Sequence, residues 1–205
     1  MSNMKELCSQ VQVIPVLVVK EVTQAKPLAE ALVRGGLNVL EVTLRTPVAL
    51  DVIRAMSEVP GAQVGAGTVL TPEDVRAVKK AGAQFAVAPG ATASLIKAAQ
   101  VADLPLLPGA ATASEVMHLM EQGFDMLKFF PAEAAGGAAM LKALHGPLSG
   151  VCFCPTGGVN VQNAPQYLSL PNVVCVGGSW VTPEDLVAAG DWQAIEQLAR
   201  EAQAL

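Results

Sequence analysis

The stretch Met126-Leu127-Lys128-Phe129-Phe130-Pro131-Ala132-Glu133 sets one lysine inside an otherwise apolar run that stops at a proline. Alternation along it sends Lys128 to the same face as Met126 and Phe130, as in a strand, and Pro131 ends that strand. A lysine held among Met and Phe loses solvation, which disfavours the ammonium and favours a neutral, nucleophilic amine of the kind that forms a Schiff base. The same side chain could instead snorkel from the strand end to a carboxylate. The residues around it have to decide.

On both sides the same unit recurs: a short apolar strand, punctuation, then a helix. Val11 to Val19 (VQVIPVLVV) reads as a buried strand despite Pro15, behind a short helix over residues 1–10 that would cover its lower end. Thr23 predicts the N-cap of a helix that ends at Gly35-Gly36. Val39 to Arg45 is a second strand, with Thr46 and Pro47 as N-cap and first residue of a helix to Glu58. Gln63 to Val69 is the third, and Thr71-Pro72-Glu73-Asp74 starts its helix, closed by Gly82. Phe85 to Ala88 and Leu104 to Leu107 are the fourth and fifth, each followed by Pro-Gly and a Ser or Thr start signal. After the lysine strand, the sixth, come Val151 to Cys154 and Val173 to Val176, and Asp191 begins a closing helix. Eight such units predict a single-domain α/β fold over residues 1–205, a (β/α)8 TIM barrel with a short N-terminal helix. A doubly wound sheet shares the alternation, but no GxGxxG or GxxxxGK[ST] turn follows an early strand.

Composition narrows the function. A chain of 205 residues, 52% hydrophobic and 15% charged, can bury a large core. Its net charge of -5, with no run of Lys or Arg, argues against nucleic acid or an anionic membrane as the main partner. Cys8, Cys152, Cys154 and Cys175 lack zinc-site spacing and read as buried thiols of a reduced, cytoplasmic protein. No apolar run reaches the ~18 residues of a membrane span. His118 and His145 fall in helical segments without ligand partners, so no metal or cofactor is expected.

In a barrel the chemistry lies at the carboxyl ends of the strands. Glu41, Thr43 and Arg45 share one parity of strand two, so one face carries an acid, a hydroxyl and a guanidinium. A carboxylate on a buried strand is costly unless paired or working, and opposite a desolvated lysine it would act as general acid and base. The plainer reading is a structural ion pair with Arg45 or Lys128. Arg45 suits a substrate carboxylate, and Thr68 ends strand three with a hydroxyl that could equally be an ordinary strand former. Strands seven and eight run into Gly157-Gly158 and Gly177-Gly178, with Ser179 beside the second pair. Each pair alone is a turn, but together they suit a phosphate site built on backbone N–H groups. Glu133 reads as a loop carboxylate or, more readily, a first-turn helix charge, and Trp180 as packing.

Leu40-Glu41-Val42-Thr43-Leu44-Arg45-Thr46, Gly65-Ala66-Gly67-Thr68-Val69-Leu70, Lys128-Phe129-Phe130-Pro131-Ala132-Glu133, Pro155-Thr156-Gly157-Gly158 and Gly177-Gly178-Ser179-Trp180 closely resemble the bacterial 2-keto-3-deoxy-6-phosphogluconate aldolases, nearly end to end. The resemblance implies a homotrimeric class I aldolase of the Entner-Doudoroff pathway, which splits that keto acid into pyruvate and glyceraldehyde 3-phosphate. By the family pattern Lys128 forms the Schiff base and Glu41 is the acid and base. Arg45 and Thr68 hold the pyruvyl carboxylate, Pro89 and Phe130 line the site, and Thr156, Gly157, Gly158, Gly178 and Ser179 surround the phosphate. The sister aldolase for the galactonate epimer tends to carry Asn at the position of Arg45, which this chain does not. Cleavage of 4-hydroxy-2-oxoglutarate stays open as a second activity. The rival readings are a phosphosugar isomerase or epimerase, and a non-catalytic phosphosugar-binding barrel.

Overall fold

The structure, a computed structural model, describes residues 4–205. The expected N-terminal helix is present as α1 (Met4–Cys8), and residues 1–3 of that expectation lie outside the described residues. Strands β1 (Val13–Leu17), β2 (Val39–Thr43), β3 (Gln63–Gly67) and β4 (Phe85–Val87) alternate with helices α2 (Ala25–Arg34), α3 (Ala49–Ser57), α4 (Pro72–Lys80) and α5 (Ala93–Val101). Then come β5 (Leu106–Leu107), β6 (Gly109–Ala110), α6 (Ala113–Glu121), β7 (Met126–Phe129), α7 (Gly137–His145) and β8 (Cys152–Pro155). α8 (Ala164–Leu168), β9 (Val176–Gly178), α9 (Glu184–Ala189) and α10 (Trp192–Gln203) complete the chain.

β1 and β2 are buried along their whole length, as strands covered on both faces must be. The helices turn apolar stripes towards them: α2 buries Ala25, Leu28, Ala29, Ala31 and Leu32, which follow helical spacing. Local start signals set four helices, the last of them α10, where Asp191 accepts from the amide of Ala194 at 3.0 Å. Thr71, Thr92 and Thr112 accept bonds from the amides of Asp74, Leu95 and Glu115, and the Asp74 and Glu115 side chains complete capping boxes. Two expected caps are elsewhere. Thr46 donates to the carbonyl of Val19 at 2.9 Å, so α3 starts later, after Val48. Thr23 lies inside a 3-10 turn over Val22–Gln24 and approaches Glu21, so α2 begins after Gln24.

All strand pairs are parallel. One run has the order β5-β4-β3-β2-β1-β9, and a second has β6-β7-β8. The break falls at Pro108, which has no N–H to give a ladder although its carbonyl accepts from Lys128 at 2.9 Å. The expected fifth strand over 104–107 is therefore two short strands around that proline. On the other side, single bridges Phe153↔Val173 and Thr156↔Gly177 tie β8 to the chain entering β9. The expected eighth strand at 173–176 has only the Val173 bridge, and the ladder to β1 starts at Val176. The result is an α/β fold whose parallel strands form a curled sheet. Between strands and helices, Phe129 and Phe153 meet edge to face at 6.3 Å.

Candidate active site

Glu41 sits mid-strand on β2, level with Val16 on β1 and Gly65 on β3. Lys128 sits on β7 between Gly109 and Cys154. Lys128 Nζ donates to Glu41 Oε1 at 3.1 Å, with the two side chains 7% and 4% exposed. Burying either charge alone would be strongly unfavourable, so each is tenable only beside the other. The lysine does meet a carboxylate, but inside the sheet's curl rather than by snorkelling outward. The Phe130 ring centroid lies 5.5 Å from Nζ, a cation–π distance. Gly67 makes room for the acid: a Cβ there would stand 2.2 Å from Glu41 Oε1. Thr43, of the same parity, is spent on structure and donates to the carbonyl of Leu17 at 2.8 Å.

Thr68 follows β3 with φ of 60°, a left-handed conformation that a β-branched residue rarely adopts and that costs on the order of 1–3 kcal/mol. Bonds on either side hold it there, from Leu44 N–H to the Gly67 carbonyl at 2.9 Å and from Val69 N–H to the Val87 carbonyl at 3.1 Å. The twist brings its hydroxyl to Arg45 Nε at 3.3 Å. Arg45 lies just past β2 and is exposed.

Pro89 and Phe130 line one cleft of about 280 Å³ with Gly109, Glu115 and His118. The Glu115 carboxyl is held below the usual carboxylate range, first by the Ala111 N–H and then by the hydroxyl and N–H of Thr112, against the opposing effect of burial. Gly157 joins this side, because a Cβ on it would lie 3.2 Å from the Phe130 ring. Gly157 and Gly158 have φ of 99° and 80°, the left-handed region that glycine adopts without penalty. Thr156 turns inward: its N–H donates to the Phe129 carbonyl at 2.9 Å and its hydroxyl points over Gly177. Gly178 is covered by the Trp180 ring, and Ser179 is exposed beside it.

Three placements around the site were not foreseen from the sequence. Glu133 lies before α7 rather than in its first turn, and its carboxylate accepts a hydrogen bond from buried Tyr167 of α8. Asn163 Nδ2 donates to the Gly158 carbonyl at 3.1 Å. His118 reaches the Pro89–Phe130 cleft. Only the asparagines left a sequence signal, since Asn beside a glycine pair marks a side-chain-stabilised turn. The Cys175 thiol is pushed well above its ordinary range by hydrogen bonds with Cys154 and Cys8 and by burial, which makes it an inert packing group. Among the described residues no cluster of three His, Cys, Asp or Glu side chains is placed to hold a metal ion.

A family model described as "KDPG and KHG aldolase" matches residues 4–198. The chain is 55% identical over 191 residues to the KHG/KDPG aldolase of Escherichia coli K12, which covers 93% of this chain and 90% of that protein. It superposes with a TM-score of 0.95 on the 2-keto-3-deoxy-6-phosphogluconate aldolase of Zymomonas mobilis ZM4, crystallised with 3-phosphoglycerate, at 50% identity, covering 100% of this chain and 96% of that one. The TM-score is also 0.95 against the KDPG aldolase of Legionella pneumophila, in which pyruvate was captured as a covalent carbinolamine, at 47% identity over 98% of each chain.

Proposed function

The chain belongs to the KDPG and KHG aldolase family, and on that premise we propose how its residues carry out the reaction. The protein is a lyase, a 2-dehydro-3-deoxy-phosphogluconate aldolase that works through a Schiff base, and it serves the Entner-Doudoroff pathway. It cleaves 2-keto-3-deoxy-6-phosphogluconate to pyruvate and glyceraldehyde 3-phosphate. The relatives are named as aldolases, which leaves nothing in favour of an isomerase or a bare binding barrel.

One observation carries the assignment of roles: the buried contact of 3.1 Å between Lys128 Nζ and Glu41 Oε1. Glu41 takes a proton from the lysine, and the free amine attacks the C2 ketone to give a carbinolamine. Glu41 gives that proton to the departing C2 hydroxyl, water leaves, and a cationic imine forms beside the restored carboxylate. Glu41 removes the C4 hydroxyl proton, the C3–C4 bond breaks, and its electrons enter the imine as an enamine. Glyceraldehyde 3-phosphate leaves. Glu41 returns the proton to C3, and water hydrolyses the pyruvyl imine. Arg45 and Thr68, already bonded to each other, hold the pyruvyl carboxylate. Pro89 and Phe130 form the apolar wall, and Gly157, Gly158, Gly178 and Ser179, with Thr156 behind them, receive the phosphate.

The same reading extends to the whole molecule. Residues 1–205 are one domain, and the two strand runs, joined by the bridges at Val173 and Gly177 and separated only at Pro108, are one closed (β/α)8 barrel. The exposed Val101, Met117 and Met120 support a subunit contact within a cytoplasmic homotrimer. 4-Hydroxy-2-oxoglutarate is a second substrate. Among the described residues no helix is long and apolar enough to cross a membrane.

Incubation with pyruvate followed by borohydride reduction tests the roles. Intact mass and peptide mapping should find a pyruvyl adduct on Lys128 that is absent from Lys128→Ala. A folded wild-type protein that gives no adduct would sink the assignment.

A further inference from the structure

The carbonyls of both turn glycines are held from outside the turn. Glu133 N–H donates to the Gly157 carbonyl at 3.1 Å, and Asn163 Nδ2 donates to the Gly158 carbonyl at 3.1 Å. Asn160 braces the second clasp: its N–H donates to Asn163 Oδ1 at 2.8 Å and its own Oδ1 accepts from the Asn163 N–H at 3.2 Å. In a trans peptide the C=O and the following N–H point in opposite directions. Holding each carbonyl therefore aims the N–H that follows it, that of Gly158 or of Val159, away from the group that holds it.

Glu133 adds a steric clasp. Its Cβ and Cγ lie 2.8 and 2.6 Å from where a Cβ on Gly158 would stand, so its stem lies flat against that glycine. Its carboxylate is a hazard beside a phosphate, since like charges repel. It is drawn off the turn by Tyr167, whose hydroxyl donates to Oε1 and whose ring is fully buried. Burial first, then the bond to Glu133 and its charge, keep the phenol protonated far beyond neutral pH, so it is a permanent donor.

We propose that Glu133, Asn163 and Tyr167 are positioning residues for the substrate phosphate: Glu133 and Asn163 orient the turn amides, and Tyr167 holds the Glu133 carboxylate away from the incoming dianion. This rests on the reading of Gly157-Gly158 as the phosphate turn. None of the three hydrogen-bonds to Lys128 or Glu41, so their effect falls on binding of the phosphate end and leaves the imine chemistry alone.

The test compares wild type with Asn163→Ala, Tyr167→Phe and Glu133→Gln, using 2-keto-3-deoxy-6-phosphogluconate, the same keto acid without its phosphate, and inorganic phosphate as a competitive inhibitor. Asn163→Ala and Tyr167→Phe should each raise KM for the phosphorylated substrate about three- to tenfold, the effect of one lost hydrogen bond, and raise the phosphate Ki in parallel. kcat, turnover of the unphosphorylated substrate and borohydride trapping of pyruvate on Lys128 should stay within about twofold. Glu133→Gln removes the charge that Tyr167 holds off while keeping the same stem over Gly158, so Tyr167→Phe should raise KM less in that background than in the wild type. Equal losses on both substrates would mean a merely structural role, and an unchanged KM would mean no role; either overturns the inference. A wild-type enzyme that cleaves the phosphorylated substrate no better than the unphosphorylated one would overturn the phosphate turn itself, while pyruvate trapping on Lys128 would still report on the aldolase chemistry.

Discussion

Gly67→Ala is a one-carbon change aimed at the acid of the active site without touching it chemically. The added Cβ would stand 2.2 Å from Glu41 Oε1, 2.7 Å from its Cγ and 2.8 Å from its Cδ. Relieving these overlaps requires the carboxylate to retreat by about 1 Å, since non-bonded heavy atoms sit best at roughly 3.5 Å. The backbone at Gly67 is ordinary β3 strand, so alanine brings no conformational strain of its own. Overpacking should cost about 1–3 kcal/mol of stability. A displaced Glu41 leaves the Lys128 contact, and a misplacement of that size in catalytic geometry costs on the order of 100-fold in rate. The assay is cleavage of 2-keto-3-deoxy-6-phosphogluconate with released pyruvate measured by a coupled dehydrogenase. Pyruvate trapping on Lys128 is followed alongside it, to separate loss of the acid from loss of the nucleophile. Gly146→Ala is the control, because a Cβ there meets nothing within 4 Å, and it should leave activity unchanged. A folded Gly67→Ala enzyme with wild-type kcat would refute the argument, since Glu41 could then work from a position the buried pair does not allow.

Removing one member of that pair should be worse than removing both. Lys128→Met leaves the Glu41 carboxylate buried without a partner and should destabilise by about 3–5 kcal/mol, and adding Glu41→Gln should recover much of it; urea unfolding of the four proteins in the cycle decides. The same double variant should stay inactive, because packing is restored and the amine is not. Glu115→Gln probes the start of α6. The Glu115 carboxyl is held below its ordinary value of 4.5, so its ionised form favours the folded state. That contribution is complete above the unfolded value and is lost as pH falls through the folded one. The Tm gap between wild type and Glu115→Gln should therefore be present at pH 7 and narrow below pH 4.5. Because the side chain is exposed, solvent screening keeps it small, under about 1 kcal/mol. A gap that widens in acid would reverse the sign of the argument.

Local chemistry made much of this molecule legible in one dimension. An apolar, β-branched run reads as a strand covered on both faces, and so the stretches Val11 to Val19 and Val39 to Arg45 already contained β1 and β2. Thr71 and Thr112, each three residues ahead of an acid, are capping boxes wherever they occur in a chain. Lys128 in an apolar strand is anomalous before any coordinates exist. By contrast, Thr46 looked like a cap and is not one, because a carbonyl 27 residues away claims its hydroxyl. The left-handed twist at Thr68 is imposed by the ladders on either side of it, and nothing in the residue itself announces it. Tyr167 and Glu133 are 34 residues apart and lie on different elements, so their bond has no sequence period to reveal it.

The sequence by itself determined the repeating strand-and-helix unit, the glycine turns and the placing of a lysine and an acid on apolar strands, since all of these follow from neighbours within a few residues. Only the tertiary structure decided that Glu41 and Lys128, 87 residues apart, meet at 3.1 Å. That distance depends on how far the sheet curls between β2 and β7, and on Gly67 leaving space beside the carboxylate. These are through-space packing conditions that no local pattern along the chain encodes.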